Sequence, residues 1–351
     1  MGETIPTWKP TCNPSVSVQL SGRKTSSDGG AFLLREVMDR SGIFERLEQK
    51  LQDDRDPLRV RHSLISQLRT LIIQHAQGWD DLSDTQLLGE DPVFQLACSD
   101  QRSITPLSQL RPSQPTLSRL LNLLAQDANL TALHNALLDL AMWRLSSMRG
   151  GKPPPTITLD VDGLPIETFG SQAGTGYNRY VGCTHYSPLV ASIAETGDMV
   201  GGLLREGNSG NAAQADQWIP GLVERIRQTT GAQVRVRFDA GFTGDPTLSA
   251  LDRANIPFVG RINSNAALER MAQPYLKRPP GRPPAHLREW CHEFYYKAES
   301  WDKKRRIVLV VSERPDDLFL HHFFLVTSLD NKDWHGHEVL NLYRKRGKAE
   351  G

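Results

Sequence analysis

The spacing of apolar residues divides the chain into a helical first part and a strand-containing second part. Between about residues 31 and 148, apolar side chains recur every three or four positions, as in the segment 64–72, which predicts a series of amphipathic helices. After residue 155 the period changes to two, and apolar and polar residues alternate over 156–162. This alternation is typical of a β-strand.

The change of period falls at a segment that favours neither helix nor strand. Residues 150–155 read Gly-Gly-Lys-Pro-Pro-Pro, which indicates a linker. Residues 1–30 are rich in Pro, Ser, Gly and Thr, and we expect them to be poorly ordered. The predicted organisation is a flexible N-terminus (1–30), an all-α domain (31–149), the first part of an α/β domain (150–265), a β-rich insertion (266–332) and a closing helix (333–351).

The order of elements in the second part predicts a particular kind of sheet. A strand over 156–162 is followed by three extended segments and then by a helix over 212–229. A second alternating strand over 234–239, a short helix and a strand over 258–262 complete the series. This is the element order of an RNase H-like α/β fold.

Composition excludes several classes of protein. The apolar fraction of 38% and the charged fraction of 23% are ordinary for a globular protein. No apolar run reaches about 18 residues and no signal region is present, so we expect a cytoplasmic protein without a membrane span. The four cysteines form no CxxC pair, which argues against a zinc ribbon or a disulfide scaffold.

The net charge of +1 does not by itself indicate a nucleic-acid partner, but basic residues cluster locally. Between residues 277 and 314 there are ten Lys and Arg against five Asp and Glu, and residues 343–348 read Tyr-Arg-Lys-Arg-Gly-Lys. Such clusters can follow phosphates even when the whole chain is balanced. Arg344 and Lys348 are therefore candidate DNA contacts, although a solvated charged face would have the same composition.

Acidic residues stand at the ends of two predicted strands. Asp160 and Asp162 alternate with apolar residues, so both carboxylates project from one face of their strand, and Asp239 ends the second alternating strand. Ligands of open α/β sheets collect at the carboxyl ends of strands. A carboxylate there needs solvent, a partner or a metal ion. The alternative is that these acids cap the loops that follow them.

The last predicted helix, over 334–350, presents a mixed polar face. Val339, Tyr343, Arg346 and Glu350 are separated by four, three and four positions, which places them on one side of an α-helix. Such a face can direct a carboxylate towards a metal ion and a cation towards a phosphate. A solvated basic helix with an ordinary Arg–Glu pair has the same spacing.

Two arginines elsewhere are further candidates for DNA contact. Arg119 lies near the start of a predicted helix that begins after Ser113, and such a helix can enter a major groove. Packing within a helical domain is the alternative. Arg282 lies in an extended Pro/Gly segment of the kind that enters a narrow minor groove, with a flexible insertion loop as the alternative.

Together, these motifs resemble those of one family. Tyr343-x-x-Arg346-x-x-x-Glu350 matches the Tyr-(2)-Arg-(3)-Glu signature of bacterial insertion-sequence DDE transposases, in which the tyrosine and the arginine position DNA phosphates. The segments 158–163 and 237–242 resemble the first and second aspartate motifs of that superfamily. The similarity extends from about residue 30 to the end, and the chain most resembles the group usually numbered thirteen-eighty.

The resemblance implies a transposase of the bacterial cytoplasm and nucleoid that cuts DNA at the ends of an insertion sequence and joins those ends to target DNA. Its catalytic and metal-binding residues would be Asp162, Asp239 and Glu350, with Asp160 as the alternative to Asp162. Three such carboxylates can hold two Mg²⁺ ions, or Mn²⁺ ions, about 4 Å apart for in-line phosphoryl transfer. The implied partners are terminal inverted repeats and target DNA, bound by a homodimer, and the helical domain 31–149 would serve DNA binding or dimerisation.

In that family the glutamate is followed about two helical turns later by a lysine, which this sequence does not reach. We therefore expect a C-terminally truncated chain with an incomplete last helix. Two alternatives stay open. One is an inactive remnant that binds only DNA or a partner, and the other is an unrelated RNase H-like nuclease, which would keep the three acids without the Tyr/Arg/Glu face.

Overall fold

The computed structural model describes residues 7–19, 29–101, 105, 111–179, 181–281, 284–315 and 317–348, with the side chains of residues 347 and 348 left out. The chain forms two compact units, Met1–Leu140 and Ala141–Gly351. The boundary between the units falls within one helix of 22 residues, Asp127–Met148, and it therefore lies before the Gly/Pro segment 150–155. Within the described ranges, no helix is both long enough and apolar enough to cross a membrane.

Helices make up most of the first unit. They are α1 (Gly30–Ser41), α2 (Ile43–Lys50), α3 (Leu64–Ala76), α4 (Asp84–Leu88), α5 (Pro92–Cys98), α6 (Gln114–Leu124) and the start of α7 (Asp127–Met148). Ser63 caps α3 by accepting the backbone N–H of Ser66, and Asp91 caps α5 in the same manner. The apolar faces of these helices enclose a core that includes Phe32, Ile73 and Phe94.

The N-terminal segment expected to be poorly ordered contains a small structured element. Two short strands, β1 (Thr7–Trp8) and β2 (Val18–Gln19), pair antiparallel. Trp8, Val16 and Val18 pack against the helical core, and Glu36 accepts hydrogen bonds from the backbone and the hydroxyl of Thr11. The expectation of poor order is therefore wrong for residues 7–19, because a few apolar side chains attach this Pro-rich segment to the core.

In its described part, the second unit contains the end of α7, two sheets and four further α-helices. The strands are β3 (Thr156–Gly163), β4 (Ile166–Glu167), β5 (Gly176–Asn178), β6 (Cys183–Tyr186), β7 (Leu189–Ile193), β8 (Met199–Leu203), β9 (Gln233–Phe238), β10 (Phe258–Ile262), β11 (Arg288–Tyr296), β12 (Arg305–Glu313) and β13 (His321–Thr327). The helices are α8 (Ala215–Thr230), α9 (Asp245–Arg253), α10 (Ala266–Ala272) and α11 (Gly336–Arg344), and the last is followed by a 3-10 turn, Lys345–Lys348.

Eight strands form one mixed sheet in the order β11-β12-β13-β10-β9-β3-β7-β8. β3, β9 and β10 run parallel to one another, whereas β7 and β8 are antiparallel neighbours at one side. β11, β12 and β13 pair antiparallel at the other side and join the sheet through β10. The segment predicted as a β-rich insertion thus begins with a helix, α10, and then extends the same sheet.

The two faces of the central strands differ in polarity. Ile157, Leu159 and Val161 of β3 are fully buried, and Val234 and Val236 of β9 lie on the same face. The polar residues that alternate with them project from the opposite face. The apolar face holds the sheet in the core, and this leaves the other face to carry charged groups.

A close contact between two central strands supplies a test of this packing. Gly260 of β10 pairs with Phe238 of β9, and a Cβ atom at position 260 would lie 2.2 Å from a ring carbon of Phe238. We expect Gly260→Ala to lower the free energy of unfolding by about 1–3 kcal/mol through overpacking. Chemical denaturation of the purified chain measures this loss.

Gly202 of β8 is the matched control, because a Cβ atom there would meet nothing closer than the carbonyl oxygen of Leu189, at 3.8 Å. Gly202→Ala should leave stability unchanged or raise it slightly. Equal stability of the two variants would contradict the packing described for β9 and β10.

Candidate active site

Two acidic residues lie side by side where β3 and β9 end. The parallel register pairs Asp160 with Arg237 and Val161 with Phe238. Asp162 and Asp239 are therefore the next neighbours along the two strands, with backbones about 5 Å apart. The structure thus brings together two of the three acids that the sequence singled out.

Asp239 begins a tight turn at this edge of the sheet. Its Oδ1 atom accepts the backbone N–H of Gly241 at 2.8 Å, which caps the 3-10 turn Ala240–Phe242. Its Oδ2 atom has no hydrogen-bond partner among the described residues. The cap holds the carboxylate in one orientation and leaves one oxygen available for another ligand.

Asp162 is half-exposed and is held by an arginine from the end of the chain. Its Oδ1 atom accepts the backbone N–H of Gly163 at 2.9 Å, and its Oδ2 atom accepts Nη2 of Arg346 at 2.6 Å. The side chain of Asp162 is 42% exposed and that of Arg346 is 12% exposed. The segment that follows α11 therefore brings Arg346 to the same edge of the sheet as the two aspartates.

Asp160 has a different environment from Asp162. Both of its carboxylate oxygens accept hydrogen bonds from Arg237, at 2.7 and 2.6 Å, and the two side chains are 8% and 1% exposed. Such a buried and doubly hydrogen-bonded pair is stable only while both charges are present. Asp160 therefore acts as a partner for an arginine within the fold.

Arg237 also binds the helix that crosses this face. Its Nη1 atom donates a hydrogen bond of 2.6 Å to the backbone carbonyl of Leu342 in α11. One buried guanidinium thus joins β9, β3 and α11, whose residues are far apart in the sequence. Because two α-helical and two 3-10 residues advance about 7 Å and two strand residues about 6.6 Å, a contact at Leu342 is consistent with Arg346 lying level with Asp162.

The start of α11 has its own anchors on the extended part of the sheet. Glu293 of β11 accepts the backbone N–H of Gly336 at 2.7 Å and forms an ion pair with the buried Arg306 of β12. Arg306 also donates to the carbonyl oxygens of Leu329 and Trp334. β11 and β12 therefore provide a polar clamp for the beginning of the helix.

Apolar contacts complete the surface on which α11 packs, and this surface is the seat of α11. The buried side chains beneath α11 form one cluster with its own residues, comprising Val259, Val308, Val310, Leu325, Leu329, Val339, Leu340 and Leu342. Tyr343 packs against the edge of this cluster. The aliphatic residues of α11 thus lie on the sheet, while the segment that follows extends to the aspartates.

The predicted closing helix is longer than the one observed. An α-helix over 334–350 was expected, but α11 spans Gly336–Arg344 and the chain then tightens into the 3-10 turn Lys345–Lys348. The last turn of a helix often tightens in this manner, because its carbonyl groups lack α-helical partners. The spacing of Tyr343 and Arg346 therefore does not describe one continuous α-helical face.

The other candidate residues have varied positions. Arg344 forms an ion pair with Glu289 of β11, and hydrogen bonding to that carboxylate raises the pKa of Arg344. Arg119 is exposed on α6 of the first unit. Glu350 and Arg282 lie outside the described residues, as does the side chain of Lys348.

The acids at this edge suit hard, oxygen-seeking divalent ions. Asp162 and Asp239 supply carboxylate oxygens only, the donor type that Mg²⁺ and Mn²⁺ prefer. Among the described residues, no group of three His, Cys, Asp or Glu side chains is close enough to hold a metal ion. The two aspartates fit such an ion in chemistry and position, and the third expected carboxylate, Glu350, falls beyond the described part of the chain.

Arg237 is the important residue that the sequence analysis did not identify. Its alternation with Val236 and Phe238 predicted only that it points away from the apolar face. A buried ion pair could have been predicted from Asp160, which alternates with apolar residues in the same way on the neighbouring parallel strand. An arginine and an aspartate on the same covered face of adjacent strands need each other as counter-ions.

Comparisons with known proteins assign a family. Residues 9–351 match the family model described as Transposase DDE domain group 1, which confirms the expected relation to DDE transposases. No protein with curated annotation matches the chain. Among solved structures, the chain is similar to a piggyBac transposase seen by cryo-electron microscopy in a synaptic complex with hairpin DNA, with a TM-score of 0.44 and 13% sequence identity. That match covers 91% of this chain and 66% of the piggyBac chain. The sequence match, which spans nearly the whole chain, carries the assignment.

The contacts of Arg237 predict that its replacement lowers the free energy of unfolding substantially. Arg237→Met leaves Asp160 buried without a counter-ion and removes the donor to Leu342. We expect a loss of about 3–5 kcal/mol in the free energy of unfolding, as measured by urea denaturation.

Two further variants distinguish a lost ion pair from lost packing. Asp160→Leu combined with Arg237→Met removes both charges and should regain a large part of the lost stability. Arg235→Met, which removes only a half-buried contact with Thr158 and the ring of Trp334, should cost about 1 kcal/mol or less. If Arg237→Met lowered the free energy of unfolding no more than Arg235→Met, the contacts of Arg237 with Asp160 and Leu342 would not anchor α11.

Proposed function

The chain belongs to the Transposase DDE domain group 1 family, and we propose that it is a DNA transposase that cleaves DNA at the ends of its own element and joins them to target DNA. The observation that carries this proposal is the pairing of Asp162 and Asp239 at the ends of two adjacent parallel strands. Phosphoryl transfer on DNA needs closely spaced carboxylates at a solvent-accessible edge. The element is proposed to be a bacterial insertion sequence of the thirteen-eighty group.

The catalytic unit is proposed to be RNase H-like. In support, β8, β7, β3, β9 and β10 are consecutive neighbours in the sheet, with β7 antiparallel to both β3 and β8, and with β9 and β10 parallel to β3. α8 connects β8 to β9, as the expected order of elements requires. The remaining strands, β11–β13, extend this sheet and form the seat for α11.

We assign Asp162, Asp239 and Glu350 as the catalytic carboxylates. Asp162 is preferred to Asp160 because it is half-exposed, whereas both oxygens of Asp160 are bound by a buried arginine. Glu350 is assigned from the Tyr343-x-x-Arg346-x-x-x-Glu350 motif, and it follows the turn whose Arg346 already contacts Asp162.

Two divalent ions, Mg²⁺ or Mn²⁺, would supply activation of the attacking water or 3′-hydroxyl and neutralisation of the leaving oxygen. Asp162 and Asp239 would hold them through carboxylate oxygens. Gly241 keeps Asp239 oriented through its backbone N–H, and Arg237 keeps β3, β9 and α11 in one arrangement. The chain's contribution is therefore to hold these carboxylate oxygens at one edge of the sheet through contacts of its own.

Arg346 is proposed to have two partners in turn. It occupies Oδ2 of Asp162, so it competes with a divalent ion for that oxygen. Once released, its guanidinium would lie beside the two aspartates, where it could contact a DNA phosphate bidentately. Tyr343 and Lys348 in the same segment, and Arg344, Arg119 and Arg282 elsewhere, are proposed as additional DNA contacts, and acting on two DNA ends favours a homodimer on terminal inverted repeats and target DNA.

The assignment of the aspartates is tested by cleavage and by metal binding. The substrate is a supercoiled plasmid that carries the DNA flanking the coding sequence on both sides. We expect Asp162→Asn and Asp239→Asn each to reduce Mg²⁺- or Mn²⁺-dependent nicking by more than the roughly 10–100-fold that is typical when a group merely orienting a metal ligand is lost. Both variants should also bind Mn²⁺ more weakly, as measured by the electron paramagnetic resonance of free Mn²⁺.

Asp333→Asn serves as the control, because Asp333 is exposed in the loop before α11 and lies away from the two strand ends. It should retain wild-type nicking and Mn²⁺ binding. Wild-type cleavage by Asp239→Asn would refute the assignment.

The competition between Arg346 and metal ions predicts that loss of Arg346 raises Mn²⁺ affinity, whereas loss of either aspartate lowers it. Arg346→Gln removes the Arg346 hydrogen bond to Oδ2 of Asp162, and we expect Mn²⁺ affinity to rise on the order of two- to fivefold, since the ion pair is partly exposed. Nicking should nevertheless fall, because a phosphate contact is lost. Arg344→Gln, whose partner is Glu289, should leave Mn²⁺ affinity unchanged. Weaker Mn²⁺ binding by Arg346→Gln would contradict the competition.

A further inference from the structure

A basic cleft of about 770 Å³ lies in the first unit, far in sequence from the two aspartates. It runs between the segment 55–67 and the first turns of α6. Among the described residues, five arginines and one acid line it, namely Arg55, Arg59, Arg61, Arg111, Arg119 and Asp56. We call this cleft the arginine groove.

Three of these arginines lack an acidic partner. Arg55 is bound by both oxygens of Asp53 at 2.7 Å, and Arg59 lies 3.5 Å from Asp56. By contrast, Arg61, Arg111 and Arg119 have no carboxylate within 4.0 Å in the described part of the chain. Three uncompensated guanidinium groups around one cleft repel one another, and an anionic ligand would relieve that repulsion.

Two further groups indicate that the cleft is electropositive. His62 lines it, and burial together with the positive charges of Arg55 and Arg61 lowers the pKa of His62. α6 also begins there, and the hydroxyl of Ser113 caps none of its backbone N–H groups but lies 3.0 Å from the hydroxyl of Thr116. The positive end of the helix dipole and the hydrogen-bonded hydroxyls of Ser113 and Thr116 therefore face the same cleft as the arginines.

Arg111 joins the groove to a second, smaller cavity of about 110 Å³. Arg61, His62 and Arg111 line both cavities, and in the smaller one the hydroxyls of Ser63 and Ser66 donate to Asp100 and to the carbonyl oxygen of Cys98. The acid in the smaller cavity, Asp100, is already neutralised by Arg69 at 2.5 Å. The result is an elongated basic track, which suits a chain of phosphates better than a single small anion.

The guanidinium of Arg111 is held in place by a glycine. A Cβ atom at Gly89 would lie 1.3 Å from Nη1 of Arg111, so the arginine rests directly over the backbone of that glycine. The Nε atom of Arg111 is buried and has no hydrogen-bond partner among the described residues. Because Arg111 has no acceptor within the described part of the chain, its remaining guanidinium donors in the groove are available to a ligand.

From these contacts we infer that the arginine groove binds the phosphate backbone of double-stranded DNA, with Arg61, Arg111 and Arg119 as the principal contacts. The choice of DNA as the nucleic acid rests on the proposed function, whereas the position of the site rests on the groove itself. Contacts of this kind fix a duplex in register without reading its bases. Binding should therefore depend strongly on salt and weakly on sequence.

The groove is tested by DNA binding in EDTA, where no cleavage occurs. The intact chain is titrated into a short labelled duplex, and fluorescence anisotropy is recorded at salt concentrations from about 50 to 200 mM. Substitution of Arg61, Arg111 and Arg119 together by Gln should weaken binding at least about tenfold. The slope of log affinity against log salt should fall in magnitude by roughly 2.7, or about 0.9 for each lost phosphate contact.

A matched control and a charge-neutral variant sharpen this test. Substituting the exposed Arg149, Arg253 and Arg270 by Gln removes the same charge outside the groove, and it should change affinity much less. Gly89→Ala keeps all the charges but displaces Arg111, and it should give an intermediate affinity with a slope reduced by up to about 0.9. The backbone at Gly89, with φ −65° and ψ −12°, accepts alanine without strain.

The outcomes separate this inference from the proposed function. Unchanged DNA affinity and salt slope in the triple groove variant would overturn the groove, even if Asp239→Asn abolished cleavage as expected. Groove-dependent binding that is tighter for duplex RNA than for duplex DNA would overturn the choice of DNA. Wild-type cleavage by Asp239→Asn, together with groove-dependent DNA binding, would refute the catalytic assignment and leave the groove intact.

Discussion

The guanidinium of Arg237 is the point on which the arrangement of the second unit depends. It is fully buried, so its charge must be met within the fold, and Asp160 and the carbonyl oxygen of Leu342 meet it. These partners come from β3 and α11, which the chain brings together only after folding. One electrostatic requirement therefore sets the alignment of β3 with β9 and the position of α11 above them, and Asp162 and Asp239 occupy neighbouring strand ends as a consequence.

A single ion pair could not hold a helix by itself, and β11–β13 supply the rest of the seat. These strands continue the sheet beyond β10, so that the aliphatic residues of α11 bury themselves against Val308, Val310 and Leu325. Arg306 and Glu293 fix the start of the helix through backbone atoms. The segment that looked like an insertion is thus what supports the helix leading to the aspartates, since it provides the surface on which that helix rests.

The distribution of charge explains how a chain with a net charge of +1 can belong to a family of DNA transposases. Most acids near the basic residues serve as internal counter-ions, as Asp160 does for Arg237 and Glu293 for Arg306. Three arginines without such a partner in the described part of the chain, Arg61, Arg111 and Arg119, line one groove. Net charge therefore says little here, because paired charges cancel in the sum and the unpaired ones are local.

The amino-acid sequence by itself determined the local elements, the order of strands and helices in the second unit, and the acids at the ends of β3 and β9. These follow from the period of apolar residues, which depends only on the geometry of helices and strands. The sequence motifs also indicated the DDE transposase relationship, which the family match confirmed.

The role of Arg237 and the seat for α11 depend on residues about 80 to 105 positions apart in the chain, and periodicity carries no information about such pairs. Only the tertiary structure decided that Asp160 is a counter-ion rather than an open ligand, because burial and a bidentate partner are properties of the folded chain. It also decided that residues 7–19 pack on a core and that the last helix tightens after Arg344, since both depend on what lies next to the segment in space.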